Sequence, residues 1–317
     1  MIDTFHDVSP AGIPLLEFLE QHGWRPVRDD GREEVAGLCP LHKDSRPSFY
    51  VNRRKQVFYC HGCGRGGGLA RLIRFMDGAP AASSGPAQLL EEVHRFFERL
   101  LPRFGEAQAY LAKRGIHDPD VIGRMHIGYA PGACLRGYLE RLGYNHAALR
   151  ECGLIDERGR DTFFRCLTFP LGQTNLYGRS VGSDLCRHRF LPGSKGGLYG
   201  WTQSLAFPGV IVVEGLFDVA ALWQAGFPNA VAALGSHLNN LQLTELCGAG
   251  ERIVYICFDA DPNGSGQRAA RRLSVQLRHA GAEALRVELP CGHDPASFFA
   301  AGADRCDFRR CLERALV

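Results

Sequence analysis

The sequence predicts an α+β multidomain protein. A small ribbon-like module comes first, then a mixed α/β subdomain, then an α/β subdomain with a mainly parallel sheet. Three observations carry this. Two Cys/His pairs are clustered between positions 39 and 63, a Pro/Gly/Ser-rich stretch follows at 78–87, and strand and helix patterns alternate from Pro208 onward. A length of 317 residues suits two domains or three small ones.

The first module reads Cys39-Pro40-Leu41-His42, then 17 residues, then Cys60-His61-Gly62-Cys63. Thiolate and imidazole pairs at this spacing suit a tetrahedral Zn²⁺. Four ligands close the shell, so the expected site is a structural zinc and the module is zinc-ribbon-like. His42 is preferred to His61 because the two pairs are then symmetrical. Between the pairs, Pro47–Val51 and Gln56–Tyr59 read as strands around a basic turn, Asn52-Arg53-Arg54-Lys55. From His42 to Met76 eight Lys or Arg stand against one acid, a local charge of +7 in a chain of net charge +3. Aromatics interleaved with arginines can stack bases while the cations hold phosphate, so Arg53, Arg54 and Lys55 are candidate nucleic-acid contacts.

Composition excludes other classes. Apolar residues are 45% and charged residues 22%, the mix of a globular protein rather than a disordered one. No apolar run reaches the ~20 residues a membrane helix needs. The N-terminus lacks a basic segment leading into an apolar one, so the expected location is the cytoplasm, with no membrane partner. Nine further cysteines (Cys134, Cys152, Cys166, Cys186, Cys247, Cys257, Cys291, Cys306 and Cys311) lack motif spacing and read as small buried hydrophobes. Only Lys43, Lys55, Lys113 and Lys195 are lysine.

The segment 78–87 reads as a flexible linker, closing a first domain at residue 77. Helical periodicity resumes at Gln88, and a second helix covers Glu106–Arg114, stopping at Gly115. Strands are expected at Phe163–Leu171, Asn175–Val181 and Arg189–Leu191. Arg179, Arg187, His188, Arg189 and Lys195 place positive charge there.

From Pro208 the pattern is β/α. Val210–Val213 is a continuous apolar strand ending at Glu214, with a helix at Asp218–Ala225. Ala230–Leu234 and Ile253–Phe258 are further strands, the latter ending at Asp259-Ala260-Asp261. A helix at Gln267–Ala280 and a strand at Ala284–Leu289 lead to Asp294. Alternation implies a parallel sheet, and ligands bind beyond the carboxyl ends of such strands. Glu214, Asp259, Asp261 and Asp294 collect at that edge, with Asp218 one helical turn past Glu214. Clustered carboxylates repel unless a cation joins them, and hard oxygen ligands suit Mg²⁺ or Mn²⁺. For Asp294 alone, helix capping is the stronger reading.

Taken together, these motifs resemble the bacterial DnaG-type DNA primases, in order and along almost the whole chain. Cys39–His42, Pro47-Ser48-Phe49 and Cys60–Cys63 look like the family's zinc-binding domain. Ala109–Gly115, Ile127–Pro131, Phe169–Leu171, Gly178-Arg179 and Leu198–Gly200 look like the start of its polymerase core. Val213–Asp218 and Phe258–Asp261 look like its Toprim motifs. The resemblance implies residues 1–77 as a template-recognition domain, 88–206 as the N-terminal core subdomain and 207–317 as a Toprim catalytic subdomain. It implies RNA primer synthesis on single-stranded DNA from ribonucleoside triphosphates by two-metal nucleotidyl transfer. Glu214, Asp259 and Asp261 become catalytic candidates. Glu214, Asp218, Asp259, Asp261 and Asp294 become metal candidates, and Arg179 and Lys195 nucleotide or template contacts. A replicative helicase, or a replication protein encoded by a mobile element, is the implied protein partner.

There are departures from the family. Ala296 stands where a second aspartate is frequent, the loop after Asp261 is about two residues longer than usual, and Gly67-Gly68-Leu69 replaces an acid. The chain ends at Val317, where the family continues into helical and helicase-binding parts, so a compact version is expected. Ala296 also supports a second expectation, a catalytically weak accessory factor that binds single-stranded DNA.

Overall fold

The structure is a computed structural model describing residues 13–29, 31, 33–63, 65–76, 85–142, 144–182, 188–248 and 250–315. The chain falls into two compact units. One is Met1–Ser83 with Pro192–Ser194, the other Ser84–Leu191 with Lys195–Val317.

The first unit runs α1 (Leu15–Gln21), β1 (Glu34–Gly37), β2 (Phe49–Asn52), β3 (Val57–Cys60), β4 (Gly66–Gly67) and α2 (Leu69–Met76). The strands form an antiparallel sheet in the order β1-β2-β3-β4. Both expected strands shift by one or two residues, for local reasons. Pro47 has no N–H for the ladder. Gln56 sits at φ 53°, which makes it a turn residue, so β3 starts at Val57. Period-two alternation then sends Phe49, Val51, Phe58 and Cys60 inward, where Leu15, Leu19, Trp24, Val35 and Leu72 complete a small core.

The second unit opens with α3 (Gly85–Leu100), three residues earlier than the periodicity suggests. Pro86 is tolerated there because the first helical turn has no use for its missing N–H. Residues 78–84 of the expected linker, and residue 77 before it, lie outside the described residues. Next come α4 (Gly105–Lys113), α5 (Pro119–Arg124), β5 (Gly128–Ala130), α6 (Leu135–Arg141), α7 (His146–Glu151), β6 (Cys166–Leu171), β7 (Asn175–Ser180), β8 (His188–Phe190) and α8 (Trp201–Ser204). The strands β5-β6-β7-β8 form an antiparallel sheet. The strand expected from Phe163 starts at Cys166 because Arg165 lies at φ 47°.

The chain continues with β9 (Gly209–Val213), α9 (Leu216–Gln224), β10 (Ala230–Ala232), α10 (Asn240–Cys247), β11 (Ile253–Ile256), α11 (Ser265–His279), β12 (Ala284–Arg286), α12 (Pro295–Ala300) and α13 (Arg305–Glu313). Here the sheet is parallel throughout, in the order β10-β9-β11-β12. Every residue of β9 is buried, as a strand covered on both faces requires. Ile211 and Val213 face a core shared with Leu167 and Phe169 of the antiparallel sheet and with α9. Val210, Val212, Val254 and Ile256 face Ala269, Ala270, Leu273 and Leu277 of α11. One apolar core therefore joins the mixed and parallel halves of this unit.

The nine extra cysteines are free where described, but they are not uniformly buried. Cys166 and Cys257 are buried, Cys134, Cys152 and Cys311 partly so, and Cys247, Cys291 and Cys306 are exposed. Cys186 and Arg187 lie outside the described residues. No helix among the described residues is long and apolar enough to cross a membrane.

Candidate functional site

Two turns bring the Cys/His pairs together. The ligand atoms of Cys39, His42, Cys60 and Cys63 all lie within 4.8 Å of one another. Cys39 Sγ is 4.0 Å from Cys63 Sγ, and Cys60 Sγ is 3.9 Å from His42 Nδ1. Zn–S bonds of ~2.3 Å in a tetrahedron place ligand atoms about 3.8 Å apart, so this donor set fits zinc. His61 is the residue the symmetry argument rejects, and it stands outside, with its ring against Tyr50 and Tyr59. Asp44 braces the cluster by accepting from Cys39 N–H at 2.9 Å and Ser48 Oγ at 2.6 Å, while Ser48 Oγ lies 3.3 Å from Cys60 Sγ. Gly62 is required here. A Cβ at that position would sit 2.7 Å from His42 Nε2 and 2.8 Å from Ser48 Oγ. Hydrogen bonding from the Cys39 thiol pulls the Cys60 thiol down to about 4, and Cys39 is pushed up in return. Three sulfurs this close share protons unless a cation stabilises them all as thiolates.

The strands between the pairs sort their aromatics by face. Phe49 and Phe58 are buried, whereas Tyr50 and Tyr59 pair across the outer face with His61 between them. The basic turn carries Arg53, Arg54 and Lys55. Arg53 pairs with Asp29 and Arg54 with Glu33, while Lys55 is exposed. These are surface pairs, screened by solvent and weak enough for a phosphate to displace the carboxylate.

The carboxylates of the second unit gather where the strand order of the parallel sheet reverses. From β9 the chain steps to β10 on one side and later to β11 on the other, which opens a crevice between the carboxyl ends of β9 and β11. Glu214 follows β9, and its Oε1 accepts the Asp259 N–H at 3.2 Å. Gly266 permits the tight loop at Asp259, since a Cβ there would lie 2.1 Å from the Asp259 carbonyl oxygen. Burial, then the charges of Glu214, Asp294 and Asp261, push the Asp259 carboxyl up to about 7. Asp259 Oδ1 is buried without a hydrogen-bond partner among the described residues. Burial also pushes Glu214 up, with the charge of Asp261 adding to it.

Asp218 and Asp294 have other duties. Asp218 is fully buried and accepts from the Gly215 and Ala296 N–H groups, both at 3.1 Å, so it starts α9 and ties α12 to it. Burial, then the charges of Asp294 and Asp259, hold its carboxyl well above the usual range. Asp294 caps α12 by accepting from Ser297 N at 2.6 Å, as the capping reading expects. The strand before it ends at Arg286 rather than Leu289, so Asp294 is placed by a helix start and not by a strand end. Asp261 accepts from Ser265 Oγ at 3.0 Å. No three of these acids bring their oxygens within 4.8 Å of one another, among the described residues. The edge is therefore an open constellation, and its unpartnered buried oxygen and mutually raised acids fit a hard divalent cation.

A basic wall faces the acids across a cavity of about 580 Å³. Arg179 donates from Nε to Tyr110 Oη at 3.0 Å, and its Nη1 lies 2.8 Å from His188 Nε2. Lys195 Nζ lies 4.3 Å from the centre of the Phe190 ring and 3.5 Å from the Leu234 carbonyl, and burial lowers its pKa. Arg114, which the sequence marks only as a helix end, completes the wall. Its guanidinium lies over the rings of Tyr110 and Phe217. Burial works against its charge, but Tyr110, Asp294 and Asp218 more than offset that and raise its pKa. Its place inside Ala109–Gly115, a motif of the resemblance, is the signal that could have marked it. Tyr110 sits between Arg114 and Arg179, whose hydrogen bonds outweigh burial and lower its phenol pKa.

Ribbon and acid edge define the class first. Residues 27–83 match the CHC2 zinc finger family, and residues 211–299 match the Toprim-like family. The chain thus has the domain make-up of the bacterial DnaG-type primases and is related to them in sequence and fold. It is 28% identical to a DNA primase of Pasteurella multocida over 99% of this chain and 62% of the relative. It is 31% identical to a DNA primase of Aquifex aeolicus over 82% of this chain and 59% of the relative. The chain therefore spans about three fifths of the length of these curated relatives. Among solved structures, the Aquifex aeolicus primase (zinc-binding and RNA polymerase domains) is similar, with a TM-score of 0.66 at 26% identity over 96% of this chain and 83% of that one. A DnaG primase catalytic domain bound to single-stranded DNA is similar with a TM-score of 0.61 at 27% identity, over 73% of this chain and 81% of that one.

Proposed function

We propose that this chain synthesises short RNA primers on single-stranded DNA, as a DNA-directed nucleotidyltransferase of the DnaG type. One observation carries the reading. An acidic wall (Glu214, Asp259, Asp294) and a basic wall (Arg114, Arg179, Lys195) face each other across one cavity at the switch point of a parallel sheet. That polarity suits a nucleoside triphosphate accompanied by its divalent cation. Glu214 and Asp259 are the primary metal candidates, Asp261 adds its charge to both without lining the cavity, and Asp218 and Asp294 complete the acidic surround. Bound Mg²⁺ or Mn²⁺ supplies neutralisation of phosphate charge and a lowered pKa for the attacking hydroxyl. The chain's own groups do the rest. Arg179 and Lys195 take triphosphate or template phosphate, and Arg114 holds its charge beside the acids without collapsing onto them.

Residues 1–77 are assigned to template recognition, 78–87 to the connection, 88–206 to the first part of the core and 207–317 to the catalytic Toprim part. In the first of these, Tyr50, Tyr59 and His61 offer ring faces to bases, and Arg53, Arg54 and Lys55 offer charge to phosphates. The cytoplasm is the compartment where template, ribonucleotides and a helicase or element-encoded replication protein would meet it. Ala296 is compatible with catalysis. It is buried in the first turn of α12, where it donates its N–H to Asp218.

The test is synthesis on mixed-sequence single-stranded DNA with labelled ribonucleotides and Mg²⁺ or Mn²⁺, with Asp259→Ala as control. Short products from the wild type that are missing from the control support the reading. No product with either metal, DNA binding being intact, would leave a binding module.

A further inference from the structure

Helix α11 carries a charge pattern that the catalytic reading does not use. Arg268, Arg271, Arg272, Val275, Gln276 and His279 line one shallow exposed surface. Their spacing is three, one, three, one and three, which sets them in one stripe along a helix. The opposite face, Ala269, Ala270, Leu273 and Leu277, is spent on the core under the parallel sheet. No acidic residue occurs from Pro262 to Ala282. Several exposed arginines elsewhere pair with carboxylates, as in Arg54–Glu33, Arg95–Glu91, Arg160–Asp156, Arg165–Glu106 and Arg310–Asp307. On this stripe Arg271, Arg272 and His279 make no ion pair among the described residues. Arg268 donates to the Asn263 carbonyl at 2.8 Å.

The stripe is also placed with respect to the acid edge. The helix starts at Ser265, whose Oγ bonds Asp261 at 3.0 Å. Its 15 residues run about 22 Å away from that edge. We infer that the outer face of α11 binds the phosphate backbone of single-stranded DNA as that strand extends away from the acid edge. Uncompensated guanidinium groups in a row match a row of phosphates. Guanidinium planes around the exposed Val275 also accept unstacked bases, which a duplex does not present. This inference rests on the primase reading.

The test uses the full chain and a labelled mixed-sequence single-stranded oligonucleotide. Affinity is measured from about 50 to 200 mM salt, the range over which phosphate binding is read from the slope. Arg271→Ala/Arg272→Ala is expected to fold normally, since alanine is the best helix former and both sites are exposed. Thermal melting confirms that. With two phosphate-binding cations removed, the logarithmic salt slope should fall by about 1.4, and affinity near 100 mM salt should fall on the order of tenfold. Arg271→Lys/Arg272→Lys should keep the slope. Arg309→Ala/Arg314→Ala removes the same charge from exposed positions on and just after α13 and should leave the slope unchanged.

An unchanged slope in the alanine pair overturns the inference, as does an equal fall in the α13 control. Loss of duplex binding with single-strand binding intact overturns the assignment to a single strand. Failure of the wild type to bind single-stranded DNA at all is a different result, and it counts against the primase reading itself.

Discussion

The Cys/His cluster and the acid edge both gather donors that suit cations, and they differ in nearly every physical respect. The cluster draws four ligands from two tight turns, already within 4.8 Å of one another. Its donors are soft, and Asp44 and Ser48 brace it from behind. The acid edge draws hard oxygens from residues 214 to 294, held apart, with one buried oxygen of Asp259 unpartnered. A closed shell stabilises a fold. An open shell leaves coordination positions for something else, which in the proposed reaction would be the oxygens of a substrate. The same contrast explains what each site needs from its surroundings. The cluster depends on its own module, whereas the acid edge depends on a parallel sheet, two helix starts and a facing basic wall.

Removal of zinc tests this contrast most strongly. Chelation, or Cys60→Ala, should unfold the first unit while the second melts unchanged, since structural zinc supplies about 10–16 kcal/mol in small modules. Calorimetry with metal analysis reads both effects, and a shift of both transitions would break the distinction between the two sites. Next comes chemistry. Asp259→Ala should lower primer synthesis by about 100-fold or more, beyond the cost of an outer-shell partner, and leave DNA affinity nearly unchanged. Synthesis near wild type would remove Asp259 from the metal site.

The acid edge should also show itself in stability against pH. Folded Asp259 keeps its proton up to about 7, whereas an unfolded aspartate releases it near the usual 3.8. Folding therefore takes up a proton between those values, and metal-free stability falls as pH rises through that window. Asp259→Asn should flatten this fall, and Mg²⁺ or Mn²⁺ should raise the melting temperature above pH 7 in the wild type only. Thermal melts across pH settle it.

Smaller effects sharpen the ribbon side. His42→Ala should lose zinc. His61→Ala should keep it and weaken single-strand binding through reduced stacking, typically about 1–3 kcal/mol per base. Retained zinc in the first variant would reverse the assignment of the two histidines. Smallest of all, Arg54→Ala should change stability by less than about 1 kcal/mol, because its pair with Glu33 is exposed.

Legibility in the sequence follows the same division. Cys39, His42, Cys60 and Cys63 are readable because their spacing is local and the ligand types are rare. The parallel sheet is readable because β9 is continuously apolar and strands alternate with helices. Strand ends are less so, since they turn on backbone angles at Gln56 and Arg165 that no periodicity records. Asp218 can be placed near the edge but not recognised as the buried tie between α9 and α12, because that depends on Ala296 from a distant helix. Arg114 lies within a recognisable motif, yet its role needs the fold that lays Tyr110 and Phe217 beneath it.

The shared core of the second unit has a mechanical consequence. Phe169, from the antiparallel sheet behind the basic wall, packs on Phe217 of α9 behind the acidic wall, with ring centres 5.4 Å apart. Gln224 of α9 also accepts from the His117 and Asp118 N–H groups and donates to the Gly115 carbonyl, just beyond Arg114. The two sides of the cleft are thus tied together through one apolar core and one set of hydrogen bonds, so that moving one wall strains the other. In the primer synthesis proposed above, a growing strand would then advance by sliding lengthwise between walls that move together, rather than by release from an opening clamp.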